Sequence, residues 1–134
     1  MLPTFTTGEF IKAARSSPSQ NCVRINRRDG WTAVWDDKLA DETTPPETTV
    51  PSDQLLIFTD HQFDDFQRQL RAGCLEGACL EITKRHDGTY IFRAADTVAQ
   101  PVVGVELSFD REEVEAFESG VQQREFDLAR FTTA

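Results

Sequence analysis

The side chains of this chain best suited to chemistry are three cysteines, two histidines and a scatter of aspartates. Cys22 and Cys79 open two similar strand-like runs, Cys-Val and Cys-Leu. A thiol there could serve as a nucleophile or a metal ligand, but a small buried hydrophobe is the plainer expectation. Cys74 adds a third thiol close to Cys79, and neither a further Cys nor a nearby pair of His completes a zinc set. His61 falls near a helix start and His86 in a hairpin turn. Asp36 and Asp37, with Asp96, could offer hard oxygen ligands to a divalent cation. Ending strands and capping turns is their plainer role. The sequence holds no phosphate-binding glycine loop and no defensible Ser/His/Asp order. The expectation is therefore no catalytic residue, no metal and no cofactor. A small metal-dependent or thiol enzyme stands as the alternative, as does a structural dimerisation protein.

The elements that must position these residues come in two sets. NCVRINRRDGWTAVWDD, from Asn21 to Asp37, reads as two strands hinged on Asp29-Gly30. ACLEITKRHDGTYIFRAAD, from Ala78 to Asp96, repeats it with Asp87-Gly88 at the hinge. Each hairpin leads to a hydrophobic strand and a charged helix. Phe63, Phe66 and Leu70 of the first helix match Val114, Phe117 and Val121 of the second at a constant offset of 51. That constancy is the best support for a tandem duplication, with copies at 1–73 and 74–134. Neither half alone is long enough to bury much core, so the two are expected to share one. The fold class that follows is α+β: two pseudo-symmetric β-β-β-α copies with mainly antiparallel strands and two main helices.

Charge narrows the partners. The 134 residues carry a net charge of −9. Residues 1–73 hold 8 Lys/Arg against 11 Asp/Glu, net −3, and residues 74–134 hold 6 against 12, net −6. Such a chain repels phosphate backbones, so direct nucleic-acid binding is not expected; the one candidate basic patch is Arg24, Arg27 and Arg28. No apolar run approaches the roughly 20 residues that span a bilayer. The start, MLPTFTTGEF, lacks the basic end and apolar stretch of a signal peptide, which places the chain in the cytoplasm with reduced thiols. Acidity favours a basic protein partner.

In chain order, Phe10, Ile11 and Ala14 predict a short helix over Thr7–Arg15, with Thr6 or Thr7 as its cap. Which face of the first hairpin is buried stays open, because both carry apolar residues. Residues 39–53, rich in Pro, Thr and acidic side chains, read as an insertion that is mobile and exposed. Leu55 to Phe58 is a buried strand, followed by a Thr59-x-x-Gln62 capping box and a helix that stops at Gly73. Val103, Val105, Leu107 and Phe109 alternate as a strand, and Asp110 caps the next helix. That helix turns Glu112, Glu115, Glu118 and Gln122 away from its apolar stripe. Glu125, Phe126 and Asp127 follow in a short tail. The tail either closes the core or, with Glu112, Glu115 and Glu118, docks a basic partner through an aromatic anchor and an acidic rim.

These residues carry a family resemblance. Asn21-Cys22-Val23-Arg24-Ile25, the strand Ala33-Val34-Trp35-Asp36-Asp37-Lys38 and the ending Arg124-Glu125-Phe126-Asp127 resemble the small actinobacterial BldB-like domain of unknown function, present twice. Phe10 stands in for the family's first aromatic and Ser16-Ser17 for its serine pair. The sequence departs in having Trp35 where the family has arginine, which Arg93 keeps in the second copy. Ala94-Ala95 replace Asp-Ser, and Arg124 replaces the glycine of the Gly-Glu-Phe-Asp ending. The resemblance implies a non-enzymatic, antitoxin-like or accessory partner of a helix-turn-helix transcription regulator. It also implies self-association, realised as a homodimer or as one chain that mimics a dimer.

Overall fold

The computed structural model describes residues 3–13, 23–39, 43–73 and 77–131. Cys22, Cys74, Ala14, Arg15, Asn21 and the Ser16-Ser17 pair lie outside the described residues. Strands β1 (Val23–Arg28), β2 (Trp31–Asp36) and β3 (Leu55–Thr59) form one antiparallel sheet in that order, followed by helix α1 (Asp60–Ala72). Strands β4 (Leu80–Lys84), β5 (Tyr90–Ala94) and β6 (Leu107–Phe109) form a second antiparallel sheet, followed by helix α2 (Arg111–Gln122). The β-β-β-α order therefore occurs twice, as the sequence led us to expect.

Local chemistry explains most of these elements. Asp29 and Gly30 both take positive φ, 53° and 88°, the backbone that a two-residue hairpin needs to match strand twist. The second hairpin differs: Lys84 pairs with Tyr90, leaving a five-residue loop, with Arg85 N–H donating to the Thr89 carbonyl at 2.8 Å. Asp87-Gly88 lies within that loop and is not a two-residue hinge. Both helices open on complete capping boxes, Thr59 with Gln62 and Asp110 with Glu113, again offset by 51.

One face of the first sheet carries Val23, Ile25, Val34, Leu56 and Phe58 into a core that runs through both halves. Phe63, Phe66 and Leu70 enter it from α1, and Val114, Phe117 and Val121 from α2. Leu80, Phe92, Leu107 and Phe109 complete it from the second sheet. Phe66 stacks on Phe117 across the helices at 6.1 Å between ring centroids, so the two stripes meet each other. At the seam β2 lies near β6 and β3 near β5.

Three expectations are corrected. The helix over Thr7–Arg15 is only a 3-10 turn, Thr7–Glu9, after which Phe10 is extended. Ile11 exchanges two backbone hydrogen bonds with Ile25, at 2.8 and 2.9 Å, and this β-bridge overrides the helical spacing. The insertion is not a free loop either. Gly8 N–H donates to the Pro46 carbonyl, Thr7 N–H to that of Thr48 and Val50 N–H to that of Phe5. A Cβ on Gly8 would stand 2.5 Å from the Pro46 side chain, so only glycine permits this approach. Finally, the strand expected from Val103 shortens to Leu107–Phe109, because the chain turns at residues 101–104 and leaves Val103 93% exposed.

The N-terminal segment and the end of the insertion settle the question of the hairpin faces. Phe5, Phe10 and Val50 pack on Ala33, Trp35, Leu55 and Ile57, the second face of the first sheet. Both faces of that sheet are buried.

Candidate functional site

The groups that could do chemistry are engaged with the protein itself. Burial pushes the Cys79 thiol up to about 11, and its Sγ lies 3.4 Å from the Gln62 carbonyl, to which it donates. It is held as a neutral thiol at physiological pH, the form that is a poor nucleophile. Asp37 accepts from Arg24 Nε at 2.8 Å, and Asp36 lies 3.1 Å from Lys38 Nζ. Asp96 is exposed on another loop, so the proposed trio of aspartates does not converge. Among the described residues no group of three or more His, Cys, Asp or Glu is arranged to hold a metal ion.

Of the basic patch at the first hairpin, only Arg24 and Arg28 reach solvent. Arg27 is buried, with its side chain fully out of solvent. Its guanidinium donates to Asp60 Oδ1 at 3.3 Å, to the Asp60 carbonyl at 3.1 Å and to the Phe126 carbonyl at 2.9 Å. Asp64 lies 2.8 Å away, and the Phe63 ring sits 5.3 Å below the guanidinium carbon. A buried cation needs this many partners, since an unpaired charge there is costly. Arg24 and Arg28 are paired with Asp37 and Glu9 respectively.

A second ionic cluster, in which two buried carboxylates meet a partly exposed lysine, joins the halves. Lys38 Nζ reaches Glu113 at 2.8 Å and Asp36 at 3.1 Å, and lies 4.8 Å over the Phe109 ring. Burial raises both carboxyls above their ordinary range, with the hydrogen bonds from Lys38 opposing the rise. Burial also works against the Lys38 ammonium, yet the hydrogen bond to Glu113 and the charge of Asp36 hold it above its ordinary value. Two buried carboxylates sharing one ammonium leave a net negative cluster under the N-terminus of α2. The sequence marks Asp110 as the cap of this helix but does not reveal the burial of Glu113. The signal was its place three residues after Asp110, the inward end of a capping box.

The outward surface of α2 is as expected. Glu112, Glu118 and Gln122 are exposed and Glu115 is half-buried, opposite the Val114, Phe117 and Val121 stripe. Arg111 Nε donates to Glu115 at 2.9 Å, one turn away. Desolvation and then the like charge of Glu115 raise the Glu118 carboxyl.

The tail resolves in favour of the core. Phe126 is fully buried, 5.6 Å from the Phe117 ring, and so is no docking anchor. Its ring lies over Gly120, where a Cβ would stand 2.6 Å from it. The chain reverses at Arg124, which holds a φ of 61°, and Glu125 N–H returns to the Gly120 carbonyl at 2.8 Å. Glu125 and Asp127 stay half-buried beside it, with Arg124 lying 3.8 Å from Asp127. Of the expected docking residues, Glu112, Glu115 and Glu118 form one face, while Glu125 and Asp127 flank a core aromatic.

The second sheet has one face largely open to solvent, with Ile91 of the middle strand buried on it. Glu81, Thr83, Arg93 and Ser108 are exposed there, and Arg93 pairs with Glu81 at 3.2 Å and Glu106 at 3.9 Å. Beside it, residues 93–106 enclose a recess of about 450 Å³. Among the described residues no helix is long and apolar enough to cross a membrane. No family model matches the chain, and no curated protein or solved structure does either.

Proposed function

We propose that this chain is a non-enzymatic regulatory protein-interaction module, the antitoxin-like or accessory partner of a helix-turn-helix transcription regulator. The observation that carries the reading is the outward row of Glu112, Glu115 and Glu118 on α2, in a chain of net charge −9. An acidic helix face steers a basic partner and sets its orientation. The reading gains support from the internal engagement of Cys79, Asp36, Asp37, Arg27 and Lys38, which uses up the groups an enzyme would need free.

The likeness to the BldB-like domain rests on its motif residues and gains support from the backbone at Arg124. Where the family ending has glycine, this chain holds a left-handed residue, the conformation that glycine adopts freely. A single chain standing in for a dimer is part of the same proposal. It is supported by the repeated β-β-β-α order and by the seam, where β2 near β6 becomes β5 near β3 when the halves are exchanged.

The test is affinity capture from the native host with mass spectrometry, using the wild type and a Glu112→Lys/Glu115→Lys/Glu118→Lys variant of matched melting temperature. The expected result is a helix-turn-helix regulator enriched on the wild type and lost on the variant. The captured regulator should bind duplex DNA with this chain as a supershift. Equal capture by both proteins, or nanomolar DNA binding by this chain alone, would sink the reading.

A further inference from the structure

Building on the protein-interaction reading, we propose that the recess walled by residues 93–106 receives one apolar side chain from a basic segment of the partner. The recess encloses about 450 Å³, lined on its apolar side by Ala94, Ala95, Val98, Ala99, Val103 and Val105. That volume lies in the range of roughly 300–1,000 Å³ typical of preformed binding pockets. A lone exposed valine is ordinary. Val103, 93% exposed, stands on the wall of an apolar recess, where an entering side chain would cover it.

The wall is pre-set rather than loose. The Gln100 side-chain amide makes both hydrogen bonds of a strand partner with Ile57 of β3, accepting from its N–H at 2.8 Å and donating to its carbonyl at 2.5 Å. This pairing ties Gln100 to the first half and satisfies the β3 edge at Ile57, which lowers the ordering cost of binding.

Charge selects the occupant. Asp96 and Glu106 line the recess along with Arg93, and Arg93 is already engaged by Glu81 and Glu106. Glu106 also lies 4.0 Å from Arg85, so Glu81, Asp96 and Glu106 face two guanidiniums, and the one carboxylate in excess favours lysine or arginine beside the anchor over an acidic segment. An apolar anchor ringed by charge pairs follows the usual division of an interface into a buried centre and a polar rim.

The experiment is an amide NMR titration of the full chain with the capped pentapeptide Lys-Lys-Leu-Lys-Lys. The expected result is a set of shifts at Ala94, Val98, Val103 and Val105. The Lys-Lys-Ala-Lys-Lys and Glu-Glu-Leu-Glu-Glu peptides should bind about tenfold more weakly or less, the first from lost apolar burial. Val103→Ser changes a solvent-exposed side chain, so the fold is kept, and affinity should fall about fivefold to tenfold. Unchanged affinity in that variant, equal binding of the acidic peptide, or no shift at all would overturn the proposal. Recess shifts that follow protein concentration without peptide would make a second copy the occupant and also overturn it. Shifts confined to the Glu112, Glu115 and Glu118 face would end the recess proposal while leaving the protein-interaction reading intact.

Discussion

Trp35 and Arg93 hold corresponding places on the middle strands of the two sheets, and their surroundings are opposite. Trp35 is 3% exposed, with its ring 5.3 Å from Phe10 and its Nε1 donating to Gln54 at 3.2 Å. Arg93 points into solvent between Glu81 and Glu106. The cause is the cover: residues 3–13 and the end of the insertion lie over the first sheet, and the second sheet has no such layer among the described residues. Two units with the same β-β-β-α order thus differ in cover: the first sheet is buried on both faces, and the second keeps an outer face that is exposed except at Ile91.

The largest effect that bears on this contrast is separation of the halves. Residues 74–134 alone would expose Leu80, Phe92, Val114 and Phe117, which now pack against the first half. The expected outcome is no cooperative thermal transition by circular dichroism. A transition close to that of the whole chain would break the shared-core account. Next in size is the corresponding pair itself. Trp35→Ala should lose about 3–5 kcal/mol in urea unfolding, as for other buried aromatics. Arg93→Ala should stay within about 0.5 kcal/mol, because exposed ion pairs contribute little. Similar losses at both sites would show that the second face is covered after all.

Much of this fold was legible because it is local. The Asp29-Gly30 turn, the Thr59 capping box, the Asp110 cap and the two helical stripes depend on residues a few positions apart, and each sits where its pattern placed it. The failures are long-range. Arg27 looked like surface charge because its partners Asp60 and the Phe126 carbonyl lie 33 and 99 residues away. Lys38 and Glu113 are 75 apart. The helical spacing of Phe10 and Ile11 was real as a pattern, but a β-bridge to Ile25 and the aromatic contact with Trp35 decided their conformation. Of the candidate surface, the acidic face of α2 could be read from periodicity, while the recess beside Val103 is shaped by the path of residues 93–106, whose Gln100 bonds to Ile57, 43 residues away.

The Lys38 cluster sharpens the contrast at the seam through its pH dependence. Lys38→Met leaves Asp36 and Glu113 buried without their cation. The expected loss is about 2–3 kcal/mol at neutral pH, below the roughly 3–5 of a fully buried pair because the Lys38 side chain is 35% exposed. Both carboxyls have raised values in the fold, so the folded state binds protons more readily than the unfolded one. Stability from these groups is therefore greatest at acid pH and falls as pH rises from the ordinary carboxyl range through the raised values. Lys38, itself raised, contributes up to its ordinary value and loses that contribution as pH passes the raised one. The variant should thus recover most of its loss near pH 4, by urea unfolding across a pH series. A pH-independent loss would assign the effect to packing on Phe109 alone.

The smallest predicted effect is a gain, at the turn that folds the tail of the second half onto the core. Arg124 holds a φ of 61°, where a side chain other than glycine suffers a steric cost of roughly 1–2 kcal/mol. Glycine removes that cost but brings extra unfolded-state entropy, roughly 0.5–1 kcal/mol. The Arg124 side chain adds little in return, since it is exposed and 3.8 Å from Asp127. Arg124→Gly should therefore raise stability by about 0.5–1 kcal/mol, with Arg124→Ala no better than wild type, since alanine keeps the Cβ. Parallel urea unfolding of the three proteins measures this directly. A gain with alanine equal to that with glycine would mean that the charge, not the backbone, sets the strain. It would also remove the support that this turn lends to the likeness with a Gly-Glu-Phe-Asp ending.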